Sequence, residues 1–120
     1  MKPVRFDYHA PISLEEVLDL LGQYGDDAKI LAGGQSLMPM MNMRLVRPKV
    51  VIDINPVAGL SYFSPSRDSG IAVGAMTRQR EVERSALVRE TVPLLASAIP
   101  YIGHFQIRNR GTVVGSLAHS

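Results

Sequence analysis

A chain of 120 residues, 46% hydrophobic and 20% charged, has the composition of a globular domain with its own core and excludes a disordered tail. The net charge of +2 does not call for a nucleic-acid partner, and the absence of cysteine excludes disulfides, thiolate nucleophiles and cysteine-ligated zinc or iron–sulfur clusters from this chain. Met1 to His9 is mixed and charged, unlike a signal peptide, and no apolar run approaches the ~20 residues of a membrane span, so a cytoplasmic setting fits.

In chain order, Ser13-Leu14-Glu15-Glu16 is a capping box. It predicts an amphipathic helix with Leu14, Val17, Leu18 and Leu21 on its core face, ended by Gly22 to Gly25. Ala28 to Leu31 predicts a short buried strand that runs into Gly33-Gly34-Gln35-Ser36. Leu37 to Met43 then predicts a short helix, with Pro39 tolerated in its first turn and Met38, Met40 and Met41 filling a core. Val50 to Ile54 is the strongest strand signal, stopped by Asn55-Pro56. Beyond Pro56 the pattern changes. Leu60 to Phe63 and Gly70 to Ala75 predict a hairpin joined by the polar turn Ser64 to Ser69. Thr77 is placed as the cap of a helix through Val82, and Thr91 as the cap of another through Ala98, with Pro93 in its first turn. Gln106 to Ser120 is polar, then glycine-punctuated, then apolar. The expected order is βαβαβ followed by ββαα and a glycine loop, divided into segments 1–55 and 56–120.

Two runs carry chemistry. In Ile30 to Leu37, paired glycines permit positive φ and leave no Cβ between a ligand and the amides, and Ser36 can cap the following helix. Strand, glycine turn and capped helix make a cradle for phosphate, and equally an ordinary strand-to-helix corner. The second run is Ile107-Arg108-Asn109-Arg110-Gly111-Thr112-Val113-Val114-Gly115-Ser116-Leu117-Ala118-His119. It reads either as a second amide loop, with Thr112 and Ser116 donating to phosphate oxygens and Arg108 and Arg110 neutralising charge, or as a plain strand and turn. His9, His104 and His119 lack the spacing of a helical zinc pair, so no metal ligand is assigned. No nucleophile–base arrangement is legible, and no catalytic residue is named.

Read together, the two runs give the sequence a family likeness. Phe6-Asp7-Tyr8 with Ala10-Pro11, the run Ala32 to Leu37, Met43-Arg44-Leu45 before Pro48, Ile52-Asp53-Ile54, Ile71 to Thr77 and Gln106 to Thr112 carry it. On these residues the chain resembles the FAD-binding medium subunit of molybdenum hydroxylases, the group containing carbon monoxide dehydrogenase and xanthine dehydrogenase. The resemblance implies an α+β fold: a small βαβ-type N-terminal lobe followed by the start of a second α+β lobe, the FAD-binding fold of the PCMH type, truncated. It implies that Ala32, Gly33, Gly34, Gln35, Ser36 and Leu37 wrap the FAD pyrophosphate. It further implies that Gly111, Thr112, Gly115, Ser116 and His119 complete the grip, and that Ile102 and Gly103 lie against the cofactor. Val114 stands where the family usually has the first of two paired glycines, and a positive φ there would be costly for valine. The implied role is electron transfer from iron–sulfur clusters through FAD to an external acceptor. The implied partners are a molybdenum-cofactor large subunit and a [2Fe-2S] small subunit, with no nucleic acid. Because the family continues past Ala118-His119, the chain reads as a fragment. The competing expectations are a small basic RNA-binding module using Arg78, Arg80, Arg108 and Arg110, and a truncated chain without cofactor.

Overall fold

The computed structural model describes residues 1–68 and 70–119, so Ser69 of the expected hairpin turn and Ser120 lie outside the described residues. The chain divides into two compact units, Met1–Ala58 and Gly59–Ser120.

The first unit is built on a three-stranded parallel sheet. Strands β1 (Asp7–His9), β2 (Ala28–Leu31) and β3 (Val50–Asp53) lie in the order β1-β3-β2, with Val50 opposite both Asp7 and Ala28. The central strand is the most apolar, and Val50, Val51 and Ile52 are all buried. Helix α1 (Leu14–Tyr24) follows β1, and helix α2 (Leu37–Asn42) lies between β2 and β3 in the chain. The capping box forms as expected: the Glu16 amide donates to Ser13 Oγ at 3.2 Å, and Glu16 Oε2 accepts from the Ile12 amide at 3.3 Å. Val17 is buried with Ala28, Met41, Ile54 and Val57, but Leu14 and Leu18 are exposed, so the core face of α1 is narrower than its sequence pattern. The expectation of a buried β2 also needs correction. As an edge strand it buries Ala28 and leaves Lys29 and Ile30 exposed.

The second unit opens with an antiparallel hairpin, β4 (Phe63–Pro65) and β5 (Ile71–Val73). Its regular ladder is shorter than expected, yet the pairing continues inward: the Gly74 amide donates to the Tyr62 carbonyl and the Met76 amide to that of Leu60. Gly74 permits this approach, because a Cβ there would fall 2.3 Å from the Leu60 carbonyl oxygen. Among the described residues five short α-helices follow: α3 (Gln79–Arg84), α4 (Ala86–Thr91), α5 (Pro93–Ala98), α6 (Phe105–Arg110) and α7 (Val113–His119), with a 3-10 turn at Ile99–Tyr101. They enclose a core centred on Val82, Val88 and Ile99, against which Phe63, Ile71, Leu95, Ile102 and Val113 pack.

The two expected helix caps in this unit are corrected. Thr77 does not cap α3; its buried hydroxyl accepts from the Tyr62 amide (3.1 Å) and donates to the Tyr62 carbonyl (3.0 Å), staying with the hairpin. Thr91 ends α4 rather than starting α5, which begins at Pro93, because the residue before a proline is driven out of the helical region. The true cap of α4 is Ser85, whose Oγ accepts from the Val88 amide at 3.2 Å.

Candidate functional site

In the first run, β2 delivers the chain into the glycine turn at Ala32 and Gly33, and α2 leaves it at Leu37. Of the two glycines, Gly34 alone has a positive φ, +77°, a conformation that L side chains rarely adopt. Ser36 does not act as a side-chain cap. Its backbone is already helical (φ −105°, ψ −47°), whereas a capping hydroxyl reaches the next turn's amides from an extended backbone. The helical bonding starts earlier, with the Gly34 carbonyl accepting from the Met38 amide at 3.2 Å.

The carbonyls on this turn are tied. Asn55, just past β3, donates Nδ2 to the Ala32 carbonyl at 2.9 Å, and Gln35 Nε2 donates to the Gly33 carbonyl at 3.2 Å. Asn55 is itself fixed by Asp53 Oδ1, which accepts from its amide at 2.9 Å and its side chain at 2.6 Å. The amides are not tied: among the described residues no acceptor meets the N–H groups of Gly33, Gly34, Gln35 or Ser36. Ala32, Gly33, Gly34, Ser36 and Leu37 are half-buried and Gln35 is exposed. A turn with the Ala32, Gly33 and Gly34 carbonyls occupied and four successive donors unfilled is chemically suited to an anion.

The second run is the start of a helix rather than a loop of successive free amides. Gly111 follows α6 in extended conformation (φ −62°, ψ 146°), and Thr112 immediately precedes α7. Thr112 Oγ1 accepts from the Gly115 amide at 3.0 Å, and its carbonyl accepts from the Ser116 amide at 3.2 Å. The Val113 amide donates to the Thr77 carbonyl and the Gly111 amide to that of Ile107. The backbone donors of Gly111, Val113, Gly115 and Ser116 are therefore consumed, and what the run can present is its side chains and the amides of Thr112 and Val114, which meet no acceptor among the described residues. Ser116 and His119 are exposed, Gly115 is half-buried, and Thr112 and Gly111 are buried. Both glycines are needed for room: a Cβ on Gly115 would lie 2.6 Å from Thr112 Oγ1, and one on Gly111 2.8 Å from Gln79 Oε1. Val114 sits in α7, without the positive φ that would have made it costly.

Ile102 and Gly103 form a turn held by Arg108. Its Nε pairs with Glu83 Oε2 at 3.0 Å, while Nη1 donates to the Ile102 carbonyl at 3.0 Å and the Pro100 carbonyl at 3.1 Å. Gly103 has φ +50° and packs under Ile107. Arg108, read from sequence as a neutralising charge beside a phosphate, is thus occupied by the chain's own carbonyls and carboxylate. Arg78 Nη1 likewise donates to the Arg110 carbonyl. In the first unit, Tyr8 donates its hydroxyl to Asp53. That bond, followed by desolvation and the carboxylate's charge, holds the phenol above its ordinary value of 10.0. Among the described residues no three His, Asp or Glu side chains converge on a metal position, and no helix is long and apolar enough to cross a membrane.

Residues 4–120 match the family described as the FAD binding domain in molybdopterin dehydrogenase. The chain belongs to this family. FAD is the cofactor that its description names. This FAD-binding domain is 50% identical over its whole length to the 6-hydroxypseudooxynicotine dehydrogenase complex subunit alpha of Paenarthrobacter nicotinovorans, covering 40% of that relative. It is 47% identical to the carbon monoxide dehydrogenase medium chain of Hydrogenophaga pseudoflava, over 99% of this chain and 41% of the relative. Among solved structures it matches carbon monoxide dehydrogenase from Hydrogenophaga pseudoflava lacking the Mo-pyranopterin moiety of the molybdenum cofactor, with a TM-score of 0.92, 47% identity, and coverage of 99% of this chain and 41% of that one. The mixed helix and sheet fold is the one expected of the family, and the chain spans about 40% of the length of these relatives.

Within the FAD-binding domain, sequence reasoning missed three supporting residues. Asn55 was taken only as a strand stop, although Asp53 two residues before it is placed to accept from its amide in an Asx-turn, as it does here. Glu83 reads from sequence as part of a solvated helix face but pairs with Arg108, and no local signal marks Gln79, a glutamine that its neighbours bury.

Proposed function

We propose that this chain forms part of the FAD-binding subunit of a molybdenum hydroxylase, an oxidoreductase subunit that accepts electrons from iron–sulfur clusters on a partner chain and passes them to an external acceptor. Residues 1–55 serve as the first FAD-binding subdomain and 56–120 begin the second. The observation that carries the reading is the turn at Ala32 to Ser36, with its carbonyls tied by Asn55 and Gln35 and four amides unfilled. Those amides bind the pyrophosphate, and Leu37 follows them into α2. Thr112, Gly115, Ser116 and His119, with Gly111 before them, supply the second part of the grip, and Ile102 and Gly103 lie against the cofactor. When bound, FAD supplies reversible uptake of one or two electrons, so these residues need no general acid or base. Their work is to bind, orient and hold the cofactor rigidly.

The partners in this reading are a molybdenum-cofactor large subunit and a [2Fe-2S] small subunit, in a cytoplasmic complex. It draws support from the words medium chain and molybdenum cofactor in the relatives' names, and from the lack of cysteine in these 120 residues, which leaves them no thiolate to ligate a cluster. An RNA-binding surface is less favoured, because Arg78 and Arg108 are engaged within the chain. The test is the visible spectrum of the full-length protein. Flavin bands that persist through gel filtration are the expected result, and a colourless protein that takes up no added FAD overturns the reading.

A further inference from the structure

Gln79 is 2% exposed, yet it is polar and only half satisfied. Its amide donates to the Gly111 carbonyl at 2.8 Å, and its side-chain Nε2 donates to Ser116 Oγ at 3.0 Å. Its Oε1 is buried and has no partner among the described residues. The chain makes room for this group: Gly111 is the residue whose Cβ would collide with Oε1. A methionine would fill the same volume without burying an unmatched acceptor, so packing does not explain the glutamine. What glutamine adds is one donor, aimed at the Ser116 hydroxyl.

That donor fixes where the hydroxyl hydrogen points. A serine oxygen that accepts from Nε2 must direct its own hydrogen elsewhere, and Ser116 is exposed. Its backbone amide is already bonded to the Thr112 carbonyl, so the hydroxyl is the donor it has to offer. We propose that Gln79 is a positioning residue, which turns the Ser116 hydroxyl outward so that it donates to an anionic oxygen of the bound dinucleotide; this rests on the FAD reading above. Gly111 belongs to the same device, as the gap that admits the glutamine side chain.

The experiment titrates FAD into the flavin-stripped full-length protein carrying Gln79→Met, Gln79→Glu, Ser116→Ala or the Gln79→Met/Ser116→Ala pair, with the melting temperature of each flavin-free form measured alongside. Gln79→Met removes the donor. Gln79→Glu reverses it, since a carboxylate draws the serine hydrogen inward. The expected result is a roughly tenfold rise in the FAD dissociation constant for Gln79→Met, with a melting temperature unchanged or higher. Gln79→Glu gives at least that loss, and the double variant binds no more weakly than Ser116→Ala alone. Unchanged affinity in Gln79→Met, or a double variant showing the two losses in full, overturns the positioning role. If Ser116→Ala and Gly33→Val also leave affinity unchanged, the placement of FAD on these two runs fails and the proposal falls with it, whereas a wild-type protein that takes up no FAD overturns the FAD reading itself.

Discussion

Two glycine-bearing runs that look alike as text do opposite things with their backbones. At Ala32-Gly33 the carbonyls are occupied by the Asn55 and Gln35 side chains, and the amides from Gly33 to Ser36 are left unfilled. At Gly111 to Ser116 the amides of Gly111, Val113, Gly115 and Ser116 are consumed by Ile107, Thr77 and Thr112, which leaves side chains and two separated amides, those of Thr112 and Val114, to act. The glycines differ accordingly. Gly34 supplies a backbone conformation, whereas Gly111 and Gly115 supply space for Gln79 and Thr112. A glycine motif therefore has no meaning until its donors and acceptors are accounted for.

The comparison breaks most decisively at Gly33. Because the positive φ of the pair belongs to Gly34, Gly33→Val tests crowding of the amides without the strain that Gly34→Val would add. FAD affinity of the full-length protein is expected to fall by about 100-fold or more, as charge-assisted donors to phosphate are lost. A folded variant with wild-type affinity would remove the distinction between the runs. Next in size is Thr77→Val in the second region. It deletes both hydroxyl bonds to Tyr62 beneath the residue whose carbonyl anchors Val113. Denaturant unfolding should show a loss of about 2 kcal/mol.

How much of this was legible in the sequence follows from the range of the interactions. The capping box at Ser13, the central strand Val50–Asp53 and the Gly34 turn each carry a sequence signal within a few residues, and they were readable. Helix α7 was not. Gly111 and Gly115 look like loop residues, and their reason for being glycine lies in Thr112 Oγ1 and in Gln79, 32 positions away from Gly111 in the chain by 111 − 79. The threonine cap was the available signal, with Val113, Val114, Leu117 and Ala118 at helical spacing behind it. Arg108 was misjudged for a similar reason: charge is visible in sequence, but the carbonyls of Pro100 and Ile102 that absorb it are visible only in the fold.

Smaller effects sharpen the contrast further. Val114→Gly restores the glycine usual in the family at a position that here is helical, so it should lower stability by about 0.5 kcal/mol and leave FAD affinity unimproved. A gain in affinity would mean that this stretch acts as an amide loop after all. In the first region, the bond from Tyr8 to Asp53 joins the chain of contacts through Asn55 to the Ala32 carbonyl. Its phenol is raised above 10.0, so the stabilisation it gives is fully present below that pH and is lost as pH climbs through the raised value. Ultraviolet difference titration against Tyr8→Phe should place the Tyr8 transition above pH 10.0, and Asp53→Asn should bring it down.

The difference between the two runs is read most directly by residue-resolved hydrogen exchange on the full-length protein with and without FAD. The amides of Gly33, Gly34, Gln35 and Ser36 should exchange freely in the flavin-free form and become protected when FAD binds, while those of Val113, Gly115 and Ser116 are protected in both. FAD binding that leaves the Gly33 to Ser36 amides in fast exchange would contradict the account.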